Sequence, residues 1–209
     1  MEEIRDSIKV MESMLSARLD NREKILKESR DVITSSSRAI IGVHSGKPKD
    51  AEKYLADADE KLRSLRKSAN GTIGRYLIPA EAEFVEASAV IALAKGRPVP
   101  SMESLKVSPE SYLLGILDTV GELKRMVLDS MMHQKLTKAV HYFETMEELY
   151  SICSPLGVYD HVVNGARRKI DVARILVEDT RGLVMEETKR EAVTKSMSRL
   201  ERRLRADKR

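Results

Sequence analysis

Apolar residues recur at three- and four-residue intervals along almost the whole chain, and little interrupts them. That period belongs to amphipathic helices. Only 10 Gly and 6 Pro punctuate 209 residues, too few turn residues for an all-β protein. No stretch shows the strict alternation of a half-buried strand.

The first helix is expected over 3–45, with Ile4, Ile8, Met11 and Leu15 early and Val32, Ile33, Ile40 and Val43 late. Ser45-Gly46-Lys47-Pro48 stops it: glycine closes helices and proline cannot continue them. A second helix follows over 49–69, and Asn70-Gly71 marks a break. A third covers 72–95, with Pro79 as a kink or a divider. Gly96-Arg97-Pro98-Val99-Pro100 reads as a loop, and a short turn follows near 101–106. Ser108-Pro109 opens the next helix, with serine as N-cap and proline in the first turn; it runs to about 131. Helices over 134–153 and 159–180 come next. Arg181-Gly182 then separates a basic C-terminal helix.

The pattern predicts one all-α domain over 1–209, a seven-helix antiparallel bundle whose residues 190–209 form a basic helix or tail. The first helix, about 60 Å long at 1.5 Å per residue, would overhang a compact bundle, and overhangs suit oligomer contacts.

Composition narrows the function. The single cysteine, Cys153, excludes a disulfide within the chain and a cysteine-based metal site; it reads as a small buried apolar residue. There is no run of about 18 apolar residues to span a membrane. The N-terminus is charged, with no apolar signal region, so a cytoplasmic location is expected. Net charge is +4, too weak alone to imply a polyanionic partner. It is unevenly spread: Lys189, Arg190, Lys195, Arg199, Arg202, Arg203, Arg205, Lys208 and Arg209 face only Glu191, Glu201 and Asp207. A solvated helix end accounts for that run as well as a nucleic-acid contact does. No glycine-rich phosphate loop is present, and no histidine pair has zinc spacing. His44, at the end of the first helix, suits the helix dipole.

Two carboxylate pairs carry more information. Glu83 and Glu86 lie in Ala80-Glu81-Ala82-Glu83-Phe84-Val85-Glu86-Ala87. Asp118 and Glu122 lie in Tyr112-Leu113-Leu114-Gly115-Ile116-Leu117-Asp118-Thr119-Val120-Gly121-Glu122-Leu123. Spacings of three and four put each pair on one helical face. The second helix is otherwise apolar nearly all round and should be buried, so its acids need a compensating charge. Arg125 or Arg174 could supply it in a structural ion-pair network. A divalent cation could supply it instead, because hard ions such as Mg²⁺ take carboxylate oxygens and keep waters able to attack a phosphodiester. Gly115, one turn before Asp118, leaves room for backbone or substrate.

At these residues the chain resembles the translin family, and within it the branch called translin-associated factor X. Glu83-Phe84-Val85-Glu86-Ala87 is similar to that branch's glutamate motif. Val107 to Met126, through Leu114-Gly115-Ile116-Leu117-Asp118 and Val120-Gly121-Glu122-Leu123, resembles its second acidic helix. Lys27-Glu28-Ser29-Arg30-Asp31, Val43-His44 and Tyr159-Asp160 extend the likeness over about 20–185. The resemblance implies an all-α seven-helix fold and a hollow, closed oligomer of six to eight subunits holding single-stranded RNA or DNA. In the factor X branch it implies four acids that bind Mg²⁺ and cleave RNA endonucleolytically. All four positions are acidic here, as Glu83, Glu86, Asp118 and Glu122, with Mn²⁺ as an alternative ion; translin proper lacks the full set and mainly binds. The branch's long basic N-terminal extension and mid-chain insertion are missing, as in a compact prokaryotic-type version that assembles with itself. Of translin's aromatic and basic cluster, Arg75 and Tyr76 are the remnants.

The expected function is therefore a metal-dependent endoribonuclease subunit acting on single-stranded RNA inside a closed shell. Arg22, Lys27, Arg30 and Arg38 on the first helix are the candidates for gripping phosphates, or else ordinary solvated surface. Their contacts would be salt-dependent and sequence-tolerant, and few aromatics limit base stacking. The alternatives are a particle that shelters single-stranded RNA or DNA without cutting it, and a helical adaptor whose acids only form ion pairs.

Overall fold

The computed structural model describes residues 1–68 and 71–206. Asn70 of the expected second break, and Asp207, Lys208 and Arg209 of the basic tail, lie outside them. The described residues form seven α-helices: α1 (Glu2–His44), α2 (Pro48–Ser68), α3 (Ile78–Ala94), α4 (Met102–Leu105), α5 (Pro109–Met132), α6 (Leu136–Cys153) and α7 (Ala166–Ala206). Short 3₁₀ segments at Gly71–Leu77 and Ser154–Tyr159 complete them. The protein is all-α, and no strand occurs among the described residues.

The stop signals act where the sequence puts them. Gly46 takes the left-handed φ of 67°. Gly46 N–H donates to the Val43 carbonyl (3.1 Å) and Lys47 N–H to the Gly42 carbonyl (2.8 Å), which satisfies the last carbonyls of α1. Pro48 then opens α2. Ser108 caps α5: its hydroxyl accepts from the Ser111 N–H at 3.2 Å.

Pro79 acts as the divider: the stretch expected as one helix over 72–95 is a 3₁₀ segment, Gly71–Leu77, followed by α3, in whose first turn the missing N–H of the proline costs nothing. Two boundaries differ from expectation. The helix expected from 159 begins at Ala166, after Gly165 at φ 87°, and Asp160 Oδ1 accepts the Arg167 N–H at 2.9 Å. Arg181-Gly182 does not break α7, which runs unbroken to Ala206. A helical glycine costs about 1 kcal/mol, and Thr180 and Val184 on either side of it are buried, so packing outweighs propensity. The number seven is met by fusing the last two expected helices and adding α4.

By its contacts the chain divides into two compact units, Met1–Ile116 and Leu117–Arg209, with the division inside α5. In the first, α1 packs on α2 and α3, and α2 on α3. Gly42 faces Ala51, and Ser35 bonds Asp57 (2.5 Å), so α1 and α2 run antiparallel. A Cβ on Gly42 would come within 2.9 Å of the Ala51 nitrogen. Ala39, Ile40, Ala51, Ala87 and Ile91 form a core cluster, flanked by Val43, Tyr54 and Leu55. In the second unit α6 packs on α7; Leu123, Val127, Met146 and Val177 are among its buried side chains. Cys153 is buried and free, and desolvation raises its thiol pKa. No helix among the described residues is long and apolar enough to cross a membrane.

Candidate functional site: two acidic helices

The first acid pair sits on α3, which is buried on nearly every side from Ala80 to Ala92. Its alanines are strong helix formers, and burial rather than amphipathicity holds it. Glu86 is buried and Glu83 half-buried. A third acid of this helix, Glu81, was not singled out by spacing, yet it is as buried as Glu86. The Arg66 guanidinium contacts its Oε1 at 3.0 Å. The Ser111 hydroxyl (2.8 Å) and the Ser108 N–H (3.2 Å) donate to its Oε2. Arg66 also donates to the Leu105 carbonyl at 3.3 Å. Glu81 thus ties α2 to the start of α5, with both carboxylate oxygens occupied.

At Gly115, α5 comes close to α3. A Cβ there would collide with the Ala82 carbonyl oxygen and fall 2.7 Å from Val85 Cβ. The room that Gly115 makes is taken by α3 itself, at the turn that also carries Glu83 and Glu86, rather than left open for a substrate.

The second pair sits one turn further along α5. Asp118 and Glu122 are both half-buried, each four residues from the other and so on one face. Asp118 Oδ1 forms an ion pair with the Lys169 ammonium of α7; the two side chains keep 32% and 36% of their exposure. The compensating cation is thus Lys169, not Arg125 or Arg174. Arg125 is exposed, and Arg174 faces Glu178 at 4.0 Å. Five residues separate Arg174 from Lys169, which turns it about 140° around the helix. The sequence carried no signal for Lys169 beyond its position in the first turn of α7.

Among the described residues no group of three or more His, Cys, Asp or Glu side chains is arranged to hold a metal ion. The acids come as two pairs, one in each unit. Their donors still suit a hard cation by chemistry: Mg²⁺ is usually held by one or two carboxylates, keeps several waters and takes further oxygens from substrate phosphates.

The four basic candidates of α1 are all exposed. Arg22 stacks on Tyr76, 5.0 Å from the ring centroid, and Arg38 on Tyr54, at 5.7 Å. At 100° per residue, Lys27 and Arg38 share one side of α1, Arg30 lies about 60–80° away, and Arg22 about 160° from Arg38. The four do not form one stripe.

Residues 76–180 match the Translin family, and both acid pairs and Lys169 fall within them. An uncharacterised protein of Methanocaldococcus jannaschii is 34% identical over 181 residues, covering 85% of this chain and 81% of that protein. Translin-associated protein X of Mus musculus is 26% identical over 196 residues, covering 72% of this chain and 67% of its own. Among solved structures, the crystal structure of AfC3PO superposes with a TM-score of 0.78 at 29% identity, over 86% of this chain and 96% of that one. The AfC3PO–duplex RNA complex does so with 0.74 at 28%, over 86% and 95%. Sequence match and fold agree, and the chain belongs to the Translin family.

Proposed function

We propose that this chain is a subunit of a cytoplasmic homo-oligomer that encloses RNA and cleaves it endonucleolytically with Mg²⁺. The observation that carries RNA as the substrate class is the likeness to AfC3PO, which is solved in complex with duplex RNA. The observation that favours cleavage is the retention of four acids as two same-face pairs inside the family-matched stretch. Single-stranded RNA is the proposed substrate and single-stranded DNA a secondary ligand; the duplex in the AfC3PO complex makes strand state the first variable to test.

Glu83, Glu86, Asp118 and Glu122 would hold the ion, directly or through water. When bound, it would polarise a phosphate oxygen and lower the pKa of a bound water. One of the four carboxylates takes the proton from the attacking water, acting as general base. Lys169 holds Asp118 in place until that partner is exchanged. Arg22, Lys27, Arg30 and Arg38 are assigned to phosphate contacts, and because they do not share one stripe they suit more than one stretch of strand.

A second reading is a particle that shelters RNA without cutting it. The Lys169–Asp118 ion pair favours it, since that acid already has a cation. The test is cleavage of labelled single-stranded and duplex RNA of one sequence, with Mg²⁺ or EDTA, by the protein and by its Glu83→Gln and Asp118→Asn variants. Metal-dependent cleavage that falls at least about a hundredfold in both variants, with RNA binding intact, supports the nuclease. Binding without cleavage in Mg²⁺ or Mn²⁺ moves the assignment to the sheltering particle.

A further inference from the structure

Two helix ends stand out by their exposure. No residue of α1 before Ile25 is buried, and none of α7 after Val184. These arms are about 36 Å and 33 Å long at 1.5 Å per residue, so they match in length. Each carries an apolar stripe in full solvent exposure. On α1 it is Met1, Ile4, Ile8, Met11 and Leu15; on α7 it is Val193, Met197, Leu200 and Leu204, all 48–87% exposed. Both alternate steps of three and four, the spacing of a coiled-coil seam. Stripes of this size on otherwise charged helices mark a protein contact, and packing of such a face is what holds most helices in water.

Charge selects between the pairings. Around the α1 stripe, Glu2, Glu3, Asp6 and Glu12 outnumber Arg5 and Lys9. Around the α7 stripe, Lys195, Arg199, Arg202, Arg203 and Arg205 face Glu201 and Glu191, the latter paired with Lys195. Two α7 arms together would set three net positive charges against three, within a Debye length of one another. An α1 arm against an α7 arm sets a net negative segment against a net positive one.

We infer that the α1 arm of one copy packs along the α7 arm of a second copy of this chain. Such a contact joins two different surfaces: reciprocated between two copies it gives a two-fold dimer, and passed on from copy to copy it gives a ring when the rotation closes. The inference rests on the homo-oligomer of the proposed function and names the surface that builds it.

The test has two parts. Native mass spectrometry is run on the protein and on Ile8→Asp and Leu200→Asp, with circular dichroism to verify helicity. An amine cross-linker is then applied to a mixture of ¹⁴N and ¹⁵N chains, and links from Lys9 or Lys24 to Lys189 or Lys195 are read by isotope. The expected result is an oligomer that each substitution dissociates, with mixed-isotope α1–α7 links. Dissociation by Leu200→Asp alone would mean α7 pairs with itself and would overturn the inference. So would α1–α7 links of a single isotope, an oligomer that survives both substitutions, or loss of RNA binding with the oligomer intact. A wild-type chain that is monomeric would remove the oligomer reading itself.

Discussion

Glu81 and Glu83 lie two residues apart on α3, carry the same chemistry and sit in different surroundings. Glu81 has Arg66, the Ser111 hydroxyl and the Ser108 N–H around it and is nearly out of water. Glu83 is half-buried and shares a face with a second carboxylate three residues on. A buried acid with all its oxygens satisfied is built for architecture, because removing either partner strands a charge in low dielectric. A half-buried carboxylate such as Glu83 keeps part of its hydration, so less of its energy rests on its surroundings, and a like charge three residues on costs it some stability. The same contrast separates Glu81 from Asp118, whose one partner, Lys169, is as exposed as itself.

Breaking the contrast directly gives the largest expected effect. Glu81→Ala should lower unfolding free energy by about 3 kcal/mol, because Arg66 is left without its anion and Ser111 without its acceptor. Glu83→Ala, at a half-buried acid that keeps part of its hydration, should cost less, about 1 kcal/mol. Urea unfolding of the two variants measures both, and equal costs would end the distinction.

Two glycines of α5 extend the comparison from charge to packing. Gly115→Ala should destabilise by about 2 kcal/mol, since its Cβ meets the α3 backbone and Val85. At Gly121 the nearest atom to such a Cβ is Leu176 Cδ1 at 3.9 Å, so Gly121→Ala should be neutral or stabilising by up to about 1 kcal/mol. Thermal melts distinguish them. Similar losses at both positions would mean that the α3–α5 approach is not tight.

How much of this was legible in the sequence depends on the range of the interaction. Helix starts and stops set by one or two residues, such as Gly46-Lys47-Pro48 and Ser108-Pro109, were readable because their causes are local. The fusion across Gly182 was not, because burial of Thr180 and Val184 decides it. The acid pairs announced themselves by spacing. Glu81 did not, since its role depends on Arg66, Ser108 and Ser111, which lie 15 to 30 residues away. Lys169, 51 residues from Asp118, was hidden for the same reason. Spacing shows which side chains share a face; it says nothing of which cation meets them.

Lys169 gives a smaller effect that sharpens the contrast. Its pair with Asp118 is about one-third exposed on both sides, so Lys169→Met should cost less than about 1 kcal/mol. The proposed function adds a second consequence. An ammonium on Asp118 competes with a divalent ion, so the variant should need roughly two- to fivefold less Mg²⁺ for half-maximal cleavage, the equivalent of that same energy. A Mg²⁺ titration of cleavage reads it. An increased requirement would mean that Lys169 positions Asp118 for the ion rather than competing with it.

The smallest expected effect is at Asp57, the exposed counterpart of Glu81. Its Oδ2 accepts from Lys61 (2.6 Å) and from the Ser35 hydroxyl (2.5 Å), and these bonds, Lys61 first, lower its pKa below the ordinary 3.8. A carboxyl with a depressed folded-state pKa stabilises the fold above its unfolded value, and that contribution disappears as pH falls through the folded value, here below 3.8. With the Asp57 and Lys61 side chains 44% and 41% exposed, water and salt screen the pair, and the contribution should stay under about 0.5 kcal/mol. Asp57→Asn should therefore change stability little at neutral pH and flatten the acid limb of a stability–pH curve below pH 4. Ser35→Ala, which removes the second bond, should flatten it partly. If Asp57→Asn costs as much as Glu81→Ala, the number of partners rather than burial governs these acids, and the criterion that separates Glu81 from Glu83 would have to be rebuilt on hydrogen bonds alone.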